Sequence, residues 1–297
     1  MDVTVVGSCN IDLISYVPRL PKPGETLQGS KFSMGFGGKG ANQCVMTAKL
    51  GAKTAMVGKV GKDTFGEDFL KNFNNLGVDT THCCTTAEVM TGAAPICVDE
   101  TGQNSIVIVP GANLLLSEAD LAAAELVIAG SKVVVCQLEI NPDVTLAALK
   151  MAKQHKVRTI LNPAPAIPLK HEFFENTDII CPNETESVDD AKRACKELQA
   201  RGCGSVVVTL GAQGLLVSVE KDAPPTHVPA PSVHVVDTTG AGDSFIGALA
   251  FFLSTRPDLG LVESCRRAVQ IASISVQAPG TQTSFPTRSQ LPQELFL

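Results

Sequence analysis

The segment VVDTTGAGDSFIGALAFFL, residues 235–253, places a predicted strand, a turn of small residues and a helix in immediate succession. The pattern predicts that the strand ends at Asp237, that the turn runs from Thr239 to Gly242, and that Asp243 begins an apolar helix reaching about Leu253. Layered α/β proteins are built from such units. The segment therefore predicts an α/β fold with Asp243 in the first turn of a helix.

Short apolar runs alternate with stretches of helical spacing along most of the 297 residues. The predicted strands are Val3 to Val6, Thr54 to Val60, Lys132 to Gln137, Arg158 to Asn162, Asp178 to Cys181 and Ser205 to Leu210. The predicted crossover helices are Gly40 to Leu50, Gly66 to Leu76, Asp143 to His155 and Asp189 to Ala200. This alternation predicts a doubly wound, mostly parallel sheet with helices on both faces.

Two regions, about residues 11–33 and 93–110, break this alternation. The second interleaves apolar and polar residues around a turn at Asp99 to Gly102. We expect one α/β domain over residues 1–297 with these regions inserted as a small β-sheet lid, although a surface hairpin is the simpler alternative. The patch from Ala223 to Pro231 contains four prolines and is interpreted as a surface connection.

The composition argues against several classes of partner. The net charge is -6 without a run of lysines or arginines, which excludes nucleic acid and anionic membranes as expected partners. The apolar run from Phe245 to Leu253 is too short to span a bilayer, and the N-terminus lacks the pattern of a signal peptide. Ten scattered cysteines without C-x-x-C spacing favour reduced thiols, so we expect a cytoplasmic protein, with the nucleus left open.

Three small residues precede Asp243, which an ordinary helix cap does not require. Gly240, Ala241 and Gly242 would leave the amides of residues 241–243 bare at the positive end of the helix dipole. Bare amides stabilise a phosphoryl group in transfer, and an adjoining carboxylate takes the proton of the attacking hydroxyl. The turn therefore predicts phosphoryl transfer with Asp243 as general base, and a simple N-cap is the alternative.

A second glycine-rich loop, GFGGKGANQ at residues 35–43, does not fit the known nucleotide fingerprints. It lies some thirty residues beyond the first strand, and Lys39 is followed by Gly40 rather than by Ser or Thr, so Rossmann and Walker A interpretations are weak. Its amides, its ammonium and Asn42 instead suit a polyhydroxylated ligand, as do Asn10 and Asp12 after the first strand. A tight turn that opens a helix, with Asn10 and Asp12 as turn formers, is the alternative.

Four motifs in this order resemble those of the ribokinase-like carbohydrate kinases. They are GSCNID at residues 7–12, GFGGKGANQ at 35–43, NETE at 183–186 with TLGAQG at 209–214, and DTTGAGDSF at 237–245. The resemblance covers nearly the whole chain. It implies transfer of the γ-phosphoryl group of ATP to a sugar, with D-ribose as the expected sugar.

The resemblance also implies which residues bind each substrate. It assigns the sugar to Asn10, Asp12, Gly38, Lys39, Gly40, Ala41, Asn42, Glu139 and Asp243. It assigns the nucleotide to Asn183, Thr209, Leu210, Gly211, Ala212, Gln213, Gly214, Gly242 and Asp243. Glu139 could otherwise be an ordinary solvated carboxylate.

Two cations are implied by the same resemblance. Magnesium would be placed through water by Asn183 and Glu186. A monovalent activator, usually potassium, would be held by Asp237, Thr239, Ser275, Ala278, Gly280 and Ser284. A solvated carboxylate at Glu186 and a plain polar loop at residues 277–284 are the alternatives.

The chain departs from the family pattern near the nucleotide. Asn183 and Thr209 are 26 positions apart, and the usual Leu-Thr-Gly after the NETE motif is missing. Either a helical turn and its loop are absent or the recorded sequence omits a segment. Val269 stands where similar enzymes tend to place an asparagine near the adenine.

Three other functions stay open from the sequence. The chain could be a kinase of the same family for fructose, adenosine or a keto-deoxy sugar acid. It could be a sugar-binding protein whose shortened nucleotide region has lost catalysis, and an NAD-dependent oxidoreductase is the weakest option because the glycines are misplaced. Similar proteins pair their small sheets, so we also expect a homodimer.

Overall fold

The computed structural model describes residues 1–183, 188–221 and 223–297. Within these ranges the strands are β1 Val3–Val6, β2 Asn10–Tyr16, β3 Lys31–Gly37, β4 Thr54–Gly61, β5 Cys83–Thr86, β6 Gly92–Val98, β7 Asn104–Ile106, β8 Val133–Cys136, β9 Arg158–Leu161, β10 Ile179–Ile180, β11 Ser205–Thr209, β12 Leu215–Ser218 and β13 Thr226–Val228. The α-helices are α1 Lys39–Lys49, α2 Thr64–Asn75, α3 Glu118–Ala123, α4 Glu125–Ala129, α5 Pro142–Gln154, α6 His171–Glu175, α7 Val188–Ala200, α8 Ala241–Thr255 and α9 Gly260–Ser275.

The large sheet has the order β13-β12-β11-β10-β9-β8-β1-β4-β5. Its strands pair in parallel except for β12 and β13, which extend one edge in antiparallel fashion. Successive residues of a strand face opposite sides, so Val3 and Val5 join the core under α1, α8 and α9, whereas Val6 joins the core under α5 and α7. The predicted doubly wound fold is confirmed.

The small sheet has the order β3-β2-β6-β7. Strand β2 follows the turn after β1 and carries Asn10 and Asp12, so the sheet lies beside the end of the first strand of the large sheet. The ring of Phe36 on β3 lies 5.0 Å from that of Phe69 on α2, and this edge contact fixes the small sheet to the helical layer. The second, small sheet expected from the sequence is therefore present.

Two expectations about the chain before α8 are wrong. No strand ends at Asp237: the amides of Val236 and Asp237 both donate to the carbonyl of Val276, and no described strand pairs with this segment. The proline-rich patch is more than a connection, because Thr226–Val228 forms the edge strand β13. The prolines flank this strand on both sides, where the ladder needs no amide from them.

Several helices begin where the sequence supplies a cap. The side chain of Asp63 accepts from the amide of Gly66 at the start of α2, and Ser117 and Asp120 form a capping box at α3. In the described part of the chain, no single helix has both the length and the apolar character needed to cross a bilayer. Helix α8 and the segment Pro257–Ser275 meet the criterion only jointly, with a bend of 98° between them.

Candidate active site

The polar residues of the site lie where parallel strands of the large sheet end. Ser8 follows β1, Gln137 and Glu139 follow β8, and Asn162 follows β9. Because carboxyl ends of parallel strands share one edge, these side chains converge, as ligand-binding groups do in open α/β sheets. Helices α1 and α8 begin at the same edge. Their first turns complete the site.

Asp243, in the first turn of α8, is held through both carboxylate oxygens. Nδ2 of Asn42 donates to Oδ2 and Nε2 of Gln43 donates to Oδ1, each at 2.9 Å. Burial raises the pKa of Asp243, Lys39 and the two amides oppose this shift, and Glu139 adds to it. A buried carboxylate with a fixed orientation and a raised proton affinity suits a general base.

The turn before Asp243 leaves two amides for an anion. Gly240 has a left-handed φ of 78°, which a glycine adopts without strain, and it precedes the helix. The amide of Ala241 donates to the carbonyl of Thr238 at 3.1 Å because the turn closes there, so the expectation of a bare amide at Ala241 is wrong. Within the described residues, the amides of Gly242 and Asp243 have no acceptor. They form the predicted anion site with one amide fewer.

Helix α1 begins at the glycine-lysine loop, and its N-terminus is capped by Glu139, which follows β8. Gly38 has a φ of 86° and offers no side chain for the cap. Oε2 of Glu139 accepts from the amide of Lys39 at 2.9 Å and from Oγ of Ser8 at 2.6 Å. Glu139 therefore fixes the position of the loop, whatever it also does for a ligand.

Gly40 and Ala41 lie deeper in α1 than expected for ligand-binding residues. The amide of Gly40 donates to Oγ of Ser8 at 3.2 Å, and that of Ala41 donates to the carbonyl of Ser8 at 2.8 Å. Both residues are buried. Their amides are satisfied inside the protein, so the structure does not support their predicted direct contact with a sugar.

Asn10 and Asp12 lie on β2 of the small sheet. Oδ1 of Asn10 accepts from Nδ2 of Asn113 at 2.8 Å, which leaves the Asn10 Nδ2 as its free donor. Burial, with Glu139 and Asp243 nearby, raises the pKa of Asp12 to about 7. The site therefore brings three carboxylates together with the ammonium of Lys39, a set suited to several hydroxyl groups.

A cleft of about 710 Å³ runs from Asp243 and Lys39 toward the last strands of the large sheet. Its lining includes Asn162, Asn183, Thr209, Gly211, Ala212, Gly214, Val235, Gly240, Ala241, Gly242, Phe245, Val269, Ala272 and Val276. Its apolar end suits a flat ring and its glycine turns suit phosphates. Leu210 packs in the core and Gln213 is exposed, so neither of these two predicted nucleotide residues lines the cleft.

Sequence reasoning missed the amides that hold the site together. Nε2 of Gln43 donates to Oδ1 of Asp243, and Oε1 of Gln43 accepts from Nε2 of Gln137 at 2.7 Å. Asn162 accepts from Gln43 at 3.2 Å and donates to Oδ1 of Asn183 at 3.3 Å. Gln43 ends the glycine-lysine motif and could have been selected from it. Gln137 and Asn162 carry no motif, and their position directly after strands was the available signal.

The two predicted cation sites differ in how far the structure describes them. Asp237 accepts from the amides of Thr239 and Gly280, each at 2.9 Å, and so joins the turn before α8 to the loop after α9. This places a carboxylate beside the loop after α9, and carboxylate and carbonyl oxygens are ligands that fit a hard cation. Glu186 lies outside the described residues. Among those described, no group of three or more His, Cys, Asp or Glu residues could hold a metal ion.

Comparison with known proteins gives consistent matches over the full chain. The model of the pfkB family carbohydrate kinases matches residues 1–288. The ribokinase of Mus musculus is 49% identical over 305 residues, which cover 99% of this chain and 94% of that protein. A deoxyribokinase of Salmonella typhi is 37% identical, with coverage of 100% and 99%. The solved structure of Arabidopsis thaliana ribokinase complexed with ribose and ATP is 31% identical and superposes with a TM-score of 0.90, covering 100% of this chain and 99% of that one.

Proposed function

This chain belongs to the pfkB family of carbohydrate kinases, and we propose that it transfers the γ-phosphoryl group of ATP to the 5-hydroxyl of D-ribose, giving D-ribose 5-phosphate and ADP. The single observation that carries the proposal is the position of Asp243. It lines the nucleotide-sized cleft and is hydrogen-bonded to Asn42 of the glycine-lysine loop. The base therefore stands where the two substrates would meet.

The residues at the start of α8 supply the chemistry. Asp243 takes the proton of the sugar 5-hydroxyl as the oxygen attacks the γ-phosphorus, and ADP leaves with the electrons of the broken bond. The amides of Gly242 and Asp243 offset the negative charge that grows on the phosphoryl oxygens. Lys39 lines the same cleft and adds a positive charge beside them.

The sugar lies between the glycine-lysine loop and β2. Asp12 accepts hydrogen bonds from neighbouring hydroxyl groups, and the free Nδ2 of Asn10 donates one. The amide of Gly38, Lys39 and Glu139 complete the ring of contacts. The small sheet that carries Asn10 and Asp12 then covers the sugar and keeps water from the phosphoryl group.

The nucleotide occupies the cleft, with its base toward Val269 and Ala272 and its phosphates toward Gly242. Thr209, Gly211 and Gly214 border the ribose and phosphates, and Gly211 and Gly214 turn the chain there with positive φ angles. Val269 offers an apolar contact where related enzymes tend to place an asparagine. Base recognition therefore depends on shape more than on a hydrogen bond at this position.

Two metal ions complete the proposal. Magnesium would be held by the nucleotide phosphates and through water by Asn183 and Glu186, and it would offset negative charge on the phosphates. Asp237, Thr239, Ser275, Ala278, Gly280 and Ser284 would hold a potassium ion, which would supply positive charge beside the turn that carries the anion site. Omission of potassium should lower kcat with little change in the KM for ribose.

A substrate panel tests the proposal. ADP release is measured with ATP and ribose, 2-deoxyribose, fructose, adenosine or a keto-deoxy sugar acid, with and without potassium. We expect ribose to give the highest kcat/KM and phosphorus NMR to identify ribose 5-phosphate. The deoxyribokinase relative makes 2-deoxyribose the strongest competitor. A higher kcat/KM for another sugar would overturn the choice of ribose, and ribose binding without ATP binding would favour a sugar-binding protein.

We further propose that two chains pair through their small sheets. Phe32 and Met34 on β3 are 63% and 50% exposed, and Val107 and Ile108 after β7 are 61% and 50% exposed. Apolar groups clustered in this way are typical of surfaces that another protein covers. Sedimentation velocity should give a dimer at micromolar concentration, and a monomer under these conditions contradicts the pairing.

We also assign the protein to the cytoplasm. All ten cysteines are unpaired, and eight of them are buried. Free thiols in this number are stable in a reducing compartment. Microscopy of the tagged full-length chain tests the assignment, and a secreted product would contradict it.

A further inference from the structure

A chain of side-chain amides runs from the surface of α2 to the carboxylate of Asp243. Nδ2 of Asn72 donates to Oε1 of Gln282 at 3.1 Å, and Nε2 of Gln282 donates to Oδ1 of Asn42 at 3.0 Å. Nδ2 of Asn42 then donates to Oδ2 of Asp243 at 2.9 Å. Every donor in the chain points toward the carboxylate.

The inner end of this chain favours one direction because an ionised Asp243 only accepts, and the donor of Asn72 supports that direction at the outer end. Gln282, Asn42 and Asp243 are 7%, 5% and 7% exposed, whereas Asn72 is only half-buried. A primary amide presents an oxygen on one side and hydrogens on the other, so turning one member round forces its neighbours to turn or leaves two oxygens in contact. Such a contact between two buried amide oxygens is strongly destabilising, because water cannot replace the lost hydrogen-bond partner.

The loop that carries Gln282 is itself firmly held. Nζ of Lys49, at the end of α1, donates to the carbonyls of Gln282 and Phe285 at 2.6 and 2.8 Å. The Gln282 backbone therefore stays in place whichever way its side-chain amide faces. What remains to be fixed is the orientation of that amide, and Nδ2 of Asn72, which donates to its Oε1, favours the orientation in which Nε2 faces Asn42.

We propose that Asn72 is a positioning residue, whose donor to Gln282 supports the direction of the Asn72-Gln282-Asn42 chain in which Asn42 donates to Asp243. The inference rests on the proposed function, in which Asp243 is the general base. Hydrogen bonds donated to a carboxylate favour its ionised form. The chain therefore keeps Asp243 ready to accept a proton, against the burial that raises its pKa.

The substitution Asn72→Asp reverses the chain without changing the size of the side chain. An ionised Asp at this position only accepts, so Gln282 must turn its Nε2 outward and present Oε1 to Asn42. Asn42 then turns its Nδ2 toward Gln282, and its Oδ1 faces Oδ2 of Asp243. Loss of one donor to the ionised form and the new contact between oxygens raise the pKa of Asp243.

The pH profile of kcat measures this effect. For Asn72→Asp we expect the acidic limb to move upward by about one pH unit, so that kcat measured at a fixed pH on that limb falls by about tenfold. The KM for ribose should change by less than about threefold, since no sugar contact is lost. Lys39, Asp12 and Glu139 also face Asp243, but they are common to all variants.

Two variants separate the direction of the chain from simpler effects. Asn75→Asp adds the same charge on an exposed position of the same helix, and Asn72→Ala removes the donor while water can still reach Gln282. Asn75→Asp should keep the profile of the unmodified protein. Asn72→Ala should move the acidic limb upward by less than Asn72→Asp does, because water can replace the lost donor to Gln282. If Asn72→Asp gives the profile of Asn75→Asp, the proposed role of Asn72 is wrong.

A second readout does not require turnover. The titration of the Asp243 carboxyl carbon is followed by NMR in the ligand-free protein, with Asp243→Asn used to assign the signal. The midpoint should rise in Asn72→Asp and stay constant in Asn75→Asp; equal midpoints overturn the inference. If the unmodified protein does not phosphorylate ribose, the proposed function fails, and this titration still decides the role of Asn72.

Discussion

Nδ2 of Asn113 lies 2.8 Å from Oδ1 of Asn10 and fixes which way the Asn10 amide faces. Asn113 is 1% exposed, and its Oδ1 accepts from the amide of Cys9 at 2.8 Å. It therefore ties the turn after β1 to the short 3₁₀ turn at Gly111–Leu115. Asn10 is left with Nδ2 as its free donor, and the proposed function directs this donor at a hydroxyl oxygen of the sugar.

The first prediction concerns this pair. Asn113→Ala should raise the KM for ribose by about tenfold, because Asn10 can then turn its amide and lose its donor orientation. The free energy of unfolding should fall by about 1–3 kcal/mol, since the buried amide of Cys9 loses its acceptor. Steady-state kinetics and urea unfolding measure the two effects.

A double-mutant cycle supplies the control for this first prediction. Once Asn10→Ala has removed the donor, adding Asn113→Ala should raise the KM for ribose little further. Fully additive effects on KM would show that Asn113 acts independently of Asn10.

A second prediction follows from the raised pKa of Asp12. Its carboxyl has a pKa of about 7 in the folded protein and an ordinary value of 3.8. As pH rises, the unfolded chain therefore loses the Asp12 proton at a lower pH than the folded protein does. The contribution of Asp12 to the free energy of unfolding falls between about pH 4 and about pH 7 and is constant at higher pH. The Asp12→Asn variant lacks this titration. Its free energy of unfolding, relative to that of the unmodified protein, should therefore increase by about 2 kcal/mol between pH 5 and pH 8. Urea unfolding at both pH values measures it, and a constant difference contradicts the prediction.

The third prediction tests the base. Asp243→Asn should lower kcat by at least about two decades while ribose binding, measured by calorimetry, stays largely intact. Asp189→Asn replaces an exposed carboxylate on α7 and serves as a control that should keep normal turnover. Near-normal turnover in Asp243→Asn would remove Asp243 from the reaction.

The fourth prediction tests the turn that carries the anion site. An added Cβ at Gly240 would lie 2.5 Å from Cγ2 of Thr281, and the φ of 78° disfavours any larger residue. Gly240→Ala should therefore lower the free energy of unfolding by more than about 1–2 kcal/mol and kcat by about tenfold or more.

Gly102→Ala is the matched control for this fourth prediction. Gly102 also has a positive φ, 83°, but an added Cβ would meet open space. Its stability should fall by about 1 kcal/mol without a change in kcat. An equal loss of kcat in both variants would mean that the turn at Gly240 has no special role.

Much of the fold could be predicted because burial in a parallel sheet leaves a local signal. Strands such as β1 and β8 are short apolar runs, and helices of amphipathic spacing separate them. The strand predicted to end at Asp237 was wrong because Val235 and Val236 look like strand residues but are each 52% exposed and pair with no described strand. Strand β13 was missed because the prolines around it resemble a linker.

The site, like the fold, contains residues that a local sequence pattern predicts and residues that no local pattern predicts. Asp243, Lys39 and Asn42 lie in contiguous motifs and were predicted from them, and the family expected from those motifs is confirmed. Asn113, Gln282 and Asn72 were not found, because each is hydrogen-bonded to a partner that is 103, 240 or 210 positions away. Which amide faces which depends on the assembled fold, and no local pattern encodes it.

The hydrogen bond between Asn42 and Asp243 joins residues 201 positions apart in the chain. During synthesis on the ribosome, Asn42 therefore emerges long before Asp243, the residue to which it donates. A nascent chain that has not reached residue 243 lacks this hydrogen bond, and the amide of Asn42 is without its carboxylate acceptor.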